Sequence, residues 1–532
     1  MRQALVLVVL LLCTFSGLAP ASAGGDAALQ TYRKRFTKDA FLSDREDVLA
    51  ALVATGTADA CEAIVWCLAQ EREFMESAQK DADRFAVKLK PFQEEFDELY
   101  QKYAEEQAKV GNPNPTAVPR WPVIEKLDKA RADLTSAEKR LAEERVLRDL
   151  AIESHGKCLD RMPPAQHDAF RASLTDAKGP LRSKDWAVRA ASLELLRAAM
   201  TPWVTQVLVE TVVTEPDPRA LVPALDALGG RDPKIVVPPI VARLDDARWL
   251  VRAAALSALE RTPCKEAIDA IVVRAAAEEG RLRDDCLRIL VALTGADVAR
   301  SPEAWKQWWT ANREAWAGPP PADKKPPTAE KLFKEATKDA GKTGFFGIET
   351  NSKRLCYVID VSGSMNEKAK DGGKETRAEM AKAELIRSIR SLEDGSWFAI
   401  VLFATDVKPW KTEMTLASDA TRKAAVAFVE AATVVGATNT YGALELAFTL
   451  GEPAKAKPTD PYADAKLDTI ILLSDGKPTR GLTVKTDEIR AAVRDWNKRR
   501  RVTVHAIAFG KDADFKFLEG LALDTGGAFV SQ

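Results

Sequence analysis

Asp360, Ser362 and Ser364 close an apolar run, Leu355 to Ile359, so a strand ending there aims one carboxylate and two hydroxyls at a single point. An all-oxygen donor set of low charge is what a hard divalent cation such as Mg²⁺ accepts. Serine-rich turns after strands are common, so the pentapeptide is a weak signal by itself. A second apolar run, Ile470 to Leu473, ends in Ser474-Asp475-Gly476 and brings another carboxylate. Other chemistry is thin. The three histidines, His155, His167 and His505, fall in no Ser, Cys or acidic motif that would build a hydrolase or a zinc enzyme. Gly341-Lys342-Thr343 has the ending of a phosphate-binding loop, but Ala336 stands where the earlier Gly is required and no strand precedes it. The pattern argues for binding, with no catalytic residue expected.

The elements that must hold these side chains alternate. Strands are expected near 354–360, 397–404, 467–473, 502–509 and 528–530, and helices near 376–392, 419–432, 441–450, 484–499 and 514–523. The strands are almost wholly apolar, as a parallel sheet covered on both faces requires. Lys408-Pro409-Trp410-Lys411 reads as a short edge strand. Doubly wound sheets bind ligands beyond the carboxyl ends of their strands, where both Asp360 and Asp475 fall.

Together with Gly436-Ala437-Thr438-Asn439-Thr440, these segments resemble the metal-ion-dependent adhesion site of the von Willebrand factor A domain. The resemblance covers roughly residues 344–532 and fills all five site positions: Asp360, Ser362, Ser364, Thr438 and Asp475. It implies that Ser362 and Ser364 bind Mg²⁺ (or Mn²⁺ or Ca²⁺) directly, and that Thr438 does so in the ligand-bound state. Asp360 and Asp475 would hold metal-bound waters and orient the hydroxyls. The open octahedral position would take a carboxylate from a partner protein. The competing reading is a degenerate domain whose turn serines cap the following helix. Asn366–Arg377 is a long charged segment before the first helix, either part of a partner-binding rim or only a mobile loop.

A repeat precedes this domain. Leu193/Leu196, Leu225/Leu228, Leu256/Leu259 and Leu287/Leu290 recur at intervals of 32, 31 and 31 residues. Each pair lies on an Ala-rich helical segment followed by a second apolar helix, which makes an α-solenoid. The Val-Arg-Ala-Ala helices resemble HEAT-like repeats, although the period is shorter than usual. Val48–Leu52 and Ala60–Leu68 look like one more pair. Between them, Ala78, Ala82, Phe85, Leu89, Phe92, Phe96, Leu99 and Tyr103 form a heptad seam, and Leu127, Ala130, Leu134, Ala137 and Leu141 form a return seam. Residues 72–150 therefore read as an antiparallel coiled-coil hairpin turning through Gly111–Pro122, kinked at Pro91; two longer solenoid helices are the alternative. The Trp-rich stretch 304–309 caps the solenoid core, a Pro-rich linker follows, and a short helix spans Ala329–Thr337.

The expected organisation is thus a signal peptide (1–23), first HEAT-like helices (24–71), hairpin (72–150), solenoid (151–317), linker and short helix (318–343) and an α/β doubly wound domain (344–532). The signal rests on Arg2, an apolar core and Ala21-Ser22-Ala23, and it implies a secreted or periplasmic protein with no transmembrane segment. Removing Arg2 moves the formal charge only from −1 to −2, which offers no footprint for nucleic acid. Six cysteines would remain, spaced as buried thiols and not as a disulfide framework or a zinc site. The order of parts looks like envelope proteins that join HEAT-like repeats to a C-terminal von Willebrand A domain. The leading function is an exported, non-enzymatic interaction protein that binds an acidic group of a protein partner through the cation. The alternatives are Ro-like RNA binding and a regulatory subunit of an ATP-driven assembly; both are disfavoured by the export signal.

Overall fold

The computed structural model describes residues 27–109, 119–296, 298, 301–321, 345–348, 350–369, 374–450, 466–497, 500–510 and 513–532. The expected signal peptide, the middle of the hairpin turn and the Ala329–Thr337 helix lie outside these residues. The chain divides into two compact units between Leu228 and Gly229. That division falls within the span 151–317 expected as one solenoid.

The first unit is helical: α1 (Ala27–Arg35), α2 (Leu42–Thr55), α3 (Ala58–Lys109), α4 (Pro122–Arg161), α5 (Pro164–Thr175), α6 (Trp186–Leu196), α7 (Pro202–Thr214) and α8 (Pro218–Leu228). Helices α3 and α4 are the arms of the hairpin, but neither respects the expected limits at 72 and 150. The Ala60–Leu68 segment is simply the first part of the 52-residue α3. Its buried stripe continues from Ile64 and Leu68 to Phe74, Ala78 and Ala82. No Gly or Pro interrupts that stretch, so nothing stops the helix there, and it continues through Pro91. On α4, Leu127, Ala130, Leu134, Ala137 and Leu141 are buried. Toward the turn, Phe96 and Tyr103 meet the Trp121 ring edge-on.

The leucine pairs lie on α6, α8, α10 (Trp249–Glu260) and α12 (Arg281–Thr294), and all eight leucines are buried. Helices α7, α9 (Pro233–Val241), α11 (Lys265–Ala277) and α13 (Pro302–Asn312) follow them in turn. A feature absent from the sequence reading recurs with them. Arg189 grips the buried Glu215 with two hydrogen bonds of 2.8 Å. Sixty-three residues on, Arg252 grips the buried Glu278 at 2.6 and 3.3 Å. In α13, Trp305 and Trp309 are buried, and Trp309 Nε1 donates to Asp269 at 2.7 Å.

The second unit also holds a seven-stranded sheet in the order β3-β2-β1-β5-β6-β7, with β4 on the free part of β2. The strands are β1 (Arg354–Asp360), β2 (Trp397–Phe403), β3 (Val407–Pro409), β4 (Thr415–Leu416), β5 (Thr469–Ser474), β6 (Thr503–Ala508) and β7 (Phe529–Ser531). All pairings among β1, β2, β5, β6 and β7 are parallel, and only β3 and β4 run against β2. Helices α14 (Arg377–Ser391) and α15 (Asp419–Glu430) cover one face, and α16 (Thr440–Leu450), α17 (Thr486–Asn497) and α18 (Phe515–Thr525) cover the other. Arg281 of α12 anchors the opposite end of β5, donating to the Asp468 carbonyl at 3.2 Å, while Asp284 accepts from Asn351. The six cysteines of the described residues are free thiols, buried except for the half-buried Cys264. No described helix is long and apolar enough to cross a membrane.

Candidate metal centre

Strands β1 and β5 are parallel neighbours, with Ile359 paired to Leu473. Asp360 and Ser474-Asp475 therefore leave the sheet side by side. Asp360 Oδ1 accepts the Ser362 backbone N–H at 2.9 Å, and its Oδ2 accepts the Ser474 hydroxyl at 2.7 Å. Ser362 and Ser364 lie around a single tight helical turn, Gly363–Asn366, with hydroxyl oxygens 3.2 Å apart. Ser364 Oγ donates to Asp475 Oδ1 at 2.8 Å and completes a chain of hydrogen bonds through four of the five expected residues. Thr438 arrives by its backbone. The Gly363 N–H donates to Gly436 O at 2.9 Å, and Val435 donates to Val361 O at 3.1 Å. Gly436 has φ +88° and presses so closely on Thr405 that a Cβ would lie 2.3 Å from its hydroxyl; only glycine fits. Past β5, Thr479 fixes Thr438 from both sides, its hydroxyl accepting the Thr438 N–H and its N–H donating to Thr438 O.

This donor set fits a small hard cation. Two neighbouring octahedral ligands at about 2.1 Å from Mg²⁺ stand about 3 Å apart, close to the separation of the serine hydroxyls. Asp360, Ser362, Thr438 and Asp475 are buried, while Ser364 is half-exposed. Burial pushes the Asp360 carboxyl up to about 6, helped by the charge of Asp475 and opposed by hydrogen bonds from Ser362 and Ser474. A cation would relieve that burden. Among the described residues no cluster of three His, Cys, Asp or Glu forms a metal site, and a site carried by hydroxyls is not of that kind.

Arg377 was missed as a site neighbour. It opens α14 behind the capping box of Thr376 and Glu379, and its side chain is 7% exposed. Its guanidinium donates to Asp475 Oδ2 at 3.0 Å and pairs with Glu367 at 2.8 Å. Room for it comes from Gly510, at φ +85°, where a Cβ would lie 2.6 Å from the guanidinium carbon. No local pattern announces such a partner, because Arg377 and Asp475 are 98 residues apart. In the charged segment ahead of it, Ala369 N–H donates to Glu375 O, and Lys368 Nζ to Lys374 O. Lys370 lies outside the described residues.

Among known families, the von Willebrand factor type A domain matches residues 353–530. Inter-alpha-trypsin inhibitor heavy chain H1 of Mesocricetus auratus is 31% identical over 179 residues, which cover 33% of this chain and 18% of the relative. Residues 353–530 are a von Willebrand factor type A domain. Heavy chain H4 of Homo sapiens is 30% identical over 184 residues, 34% of this chain and again 18% of the relative. The similarity thus spans under a fifth of these relatives' length. Among solved structures, a von Willebrand factor type A protein from Catenulispora acidiphila is 23% identical with a TM-score of 0.28, covering 34% of this chain and 39% of that one. The PilB minor pilin from Streptococcus sanguinis is 18% identical with a TM-score of 0.26, covering 34% and 56%.

Proposed function

We propose that this chain is an exported, non-enzymatic interaction protein whose type A domain binds a partner's carboxylate through a divalent cation. The observation that carries the reading is the hydrogen-bonded chain Asp360–Ser362–Ser364–Asp475 at the carboxyl ends of β1 and β5. Ser362, Ser364 and Thr438 would hold the ion, Mg²⁺ first and Mn²⁺ or Ca²⁺ as substitutes. Asp360 and Asp475 would orient the hydroxyls and the metal-bound waters. With mostly neutral ligands, the bound ion supplies an electrophilic position for an acidic side chain. Lys368, Lys370 and Lys374 would form a rim that selects the partner. A signal peptide ending at Ala23 would export the chain, HEAT-like helix pairs would form the scaffold, and the α3–α4 hairpin would project from it. The linker of 318–343 would join the scaffold to the head.

The domain's core is built from apolar side chains and includes none of the five site residues, so Asp360→Ala should abolish Mg²⁺ binding and leave circular dichroism nearly unchanged. Calorimetry is the direct test. Equal Mg²⁺ binding by the variant and the natural protein would sink the site assignment.

A further inference from the structure

Helix α3 starts at Ala58 and the antiparallel α4 ends at Arg161, so Cys61 and Cys158 meet at the base of the hairpin. One carbonyl, Thr57 O, accepts both the Cys61 N–H at 3.0 Å and the Cys158 thiol at 3.6 Å. Both residues are fully buried. Packing here is at backbone distance: a Cβ on Gly56 would lie 2.8 Å from the Cβ of Arg161. Among the described residues, the other four cysteines, Cys67, Cys264, Cys286 and Cys356, lie elsewhere in the chain.

We propose that Cys61 and Cys158 form a disulfide as the exported chain folds, closing the base of the α3–α4 hairpin. The proposal rests on the export reading only for its oxidant, a small or protein disulfide of an oxidising compartment. The chemistry assigns an order to the thiols. The neighbouring Cys61 side chain holds the Cys158 thiol below its ordinary value, whereas burial pushes the Cys61 thiol well up. Cys158 is then the attacking thiolate. It forms a bond to one sulfur of the donor disulfide and displaces the other as a thiolate. Cys61 next gives up its proton and attacks the Cys158 sulfur, releasing the second donor thiolate. The two protons from the cysteines end on the two donor thiols, so the donor is reduced by two electrons as the cysteines are oxidised. Such a link closes a loop around both arms and restricts the unfolded chain.

Reduced full-length chain should be refolded in a glutathione and glutathione-disulfide buffer, unfolded with iodoacetamide, digested and analysed by mass spectrometry. The Cys61 and Cys158 peptides are expected joined and two hydrogens lighter, with the other cysteines alkylated. Alkylation of both, or pairing of either with another cysteine, overturns the proposal. A second reading uses thermal unfolding. Reductant should lower the transition of the oxidised chain by several degrees and leave a Cys61→Ser/Cys158→Ser variant unmoved; an identical response of the two proteins also overturns it. The same mass analysis on chain recovered from cells separates the premises. A bond after refolding, but thiols and a retained Met1 in cellular protein, upholds the pairing and overturns export instead.

Discussion

Arg377 gives Asp475, one of the predicted metal residues, a buried charge partner. Asp475 is fully enclosed and Arg377 nearly so, whereas the side chain of Glu367 is 58% exposed. The Asp475 contact therefore carries the energetic weight. Taking one partner from a buried pair leaves an uncompensated charge and costs about 3–5 kcal/mol. Arg377→Met should lower the urea midpoint of the type A domain accordingly, and saturating Mg²⁺ should recover part of the loss by binding the folded state. A midpoint equal to that of the natural chain would show that the pair has little weight. At this scale the Asp-x-Ser-x-Ser segment was readable because its donors are local to one turn. Arg377 was not, because its partner comes from another strand.

Among the elements, the hairpin base holds the least expected charges. Arg45 of α2 donates to Glu71 of α3 at 2.7 Å and to Glu144 of α4 at 2.6 Å, and all three are buried. One guanidinium faces two carboxylates. Burial pushes Glu71 up to about 8, and its hydrogen bond to Glu144 adds to the rise while Arg45 opposes it. The folded state thus keeps a proton on Glu71 that the unfolded chain releases near the ordinary carboxylate value. That contribution to stability is fully present below about pH 4.5 and is lost as pH rises through about 8. Glu62, raised by burial to about 7, acts in the same direction. Denaturation midpoints of the first unit should fall from pH 5 to pH 8, and Glu71→Gln should flatten most of that slope. A slope of equal size in the variant would assign the dependence to other groups. The heptad seam begins at Ala78 and its return seam ends at Leu141, short of Glu71 and Glu144. It could not show that α2 sends an arginine between them.

For the molecule as a whole, the proposed binding through the cation site is tested apart from the helices. Chelation with EDTA and Ser362→Ala should release the same protein partner in pull-downs, while deletion of residues 111–122 at the hairpin turn should leave that contact intact. An unchanged set of bound proteins in EDTA would move the binding surface to the helices. The ends of the chain's elements divide the work: Arg281 and Asp284 of α12 hold the amino-terminal approaches of β5 and β1, and the carboxyl ends of the same strands carry Asp475 and Asp360.

The amino-acid sequence by itself determined the alternation of strands and helices after residue 353, the parallel sheet and the placement of two aspartates at strand ends. Parallel strands must be apolar on both faces, and helices must carry a stripe at their own period, so both are written in local order. The leucine period and the two seams of the hairpin were legible for the same reason. Tertiary structure alone decided that Arg377 supports Asp475, that Arg45 sits between Glu71 and Glu144, and that Cys61 and Cys158 come together at Thr57. Each of these three side-chain contacts joins groups from different elements, up to 99 residues apart. Their pairing follows from packing geometry, to which neighbouring residues in the chain hold no key.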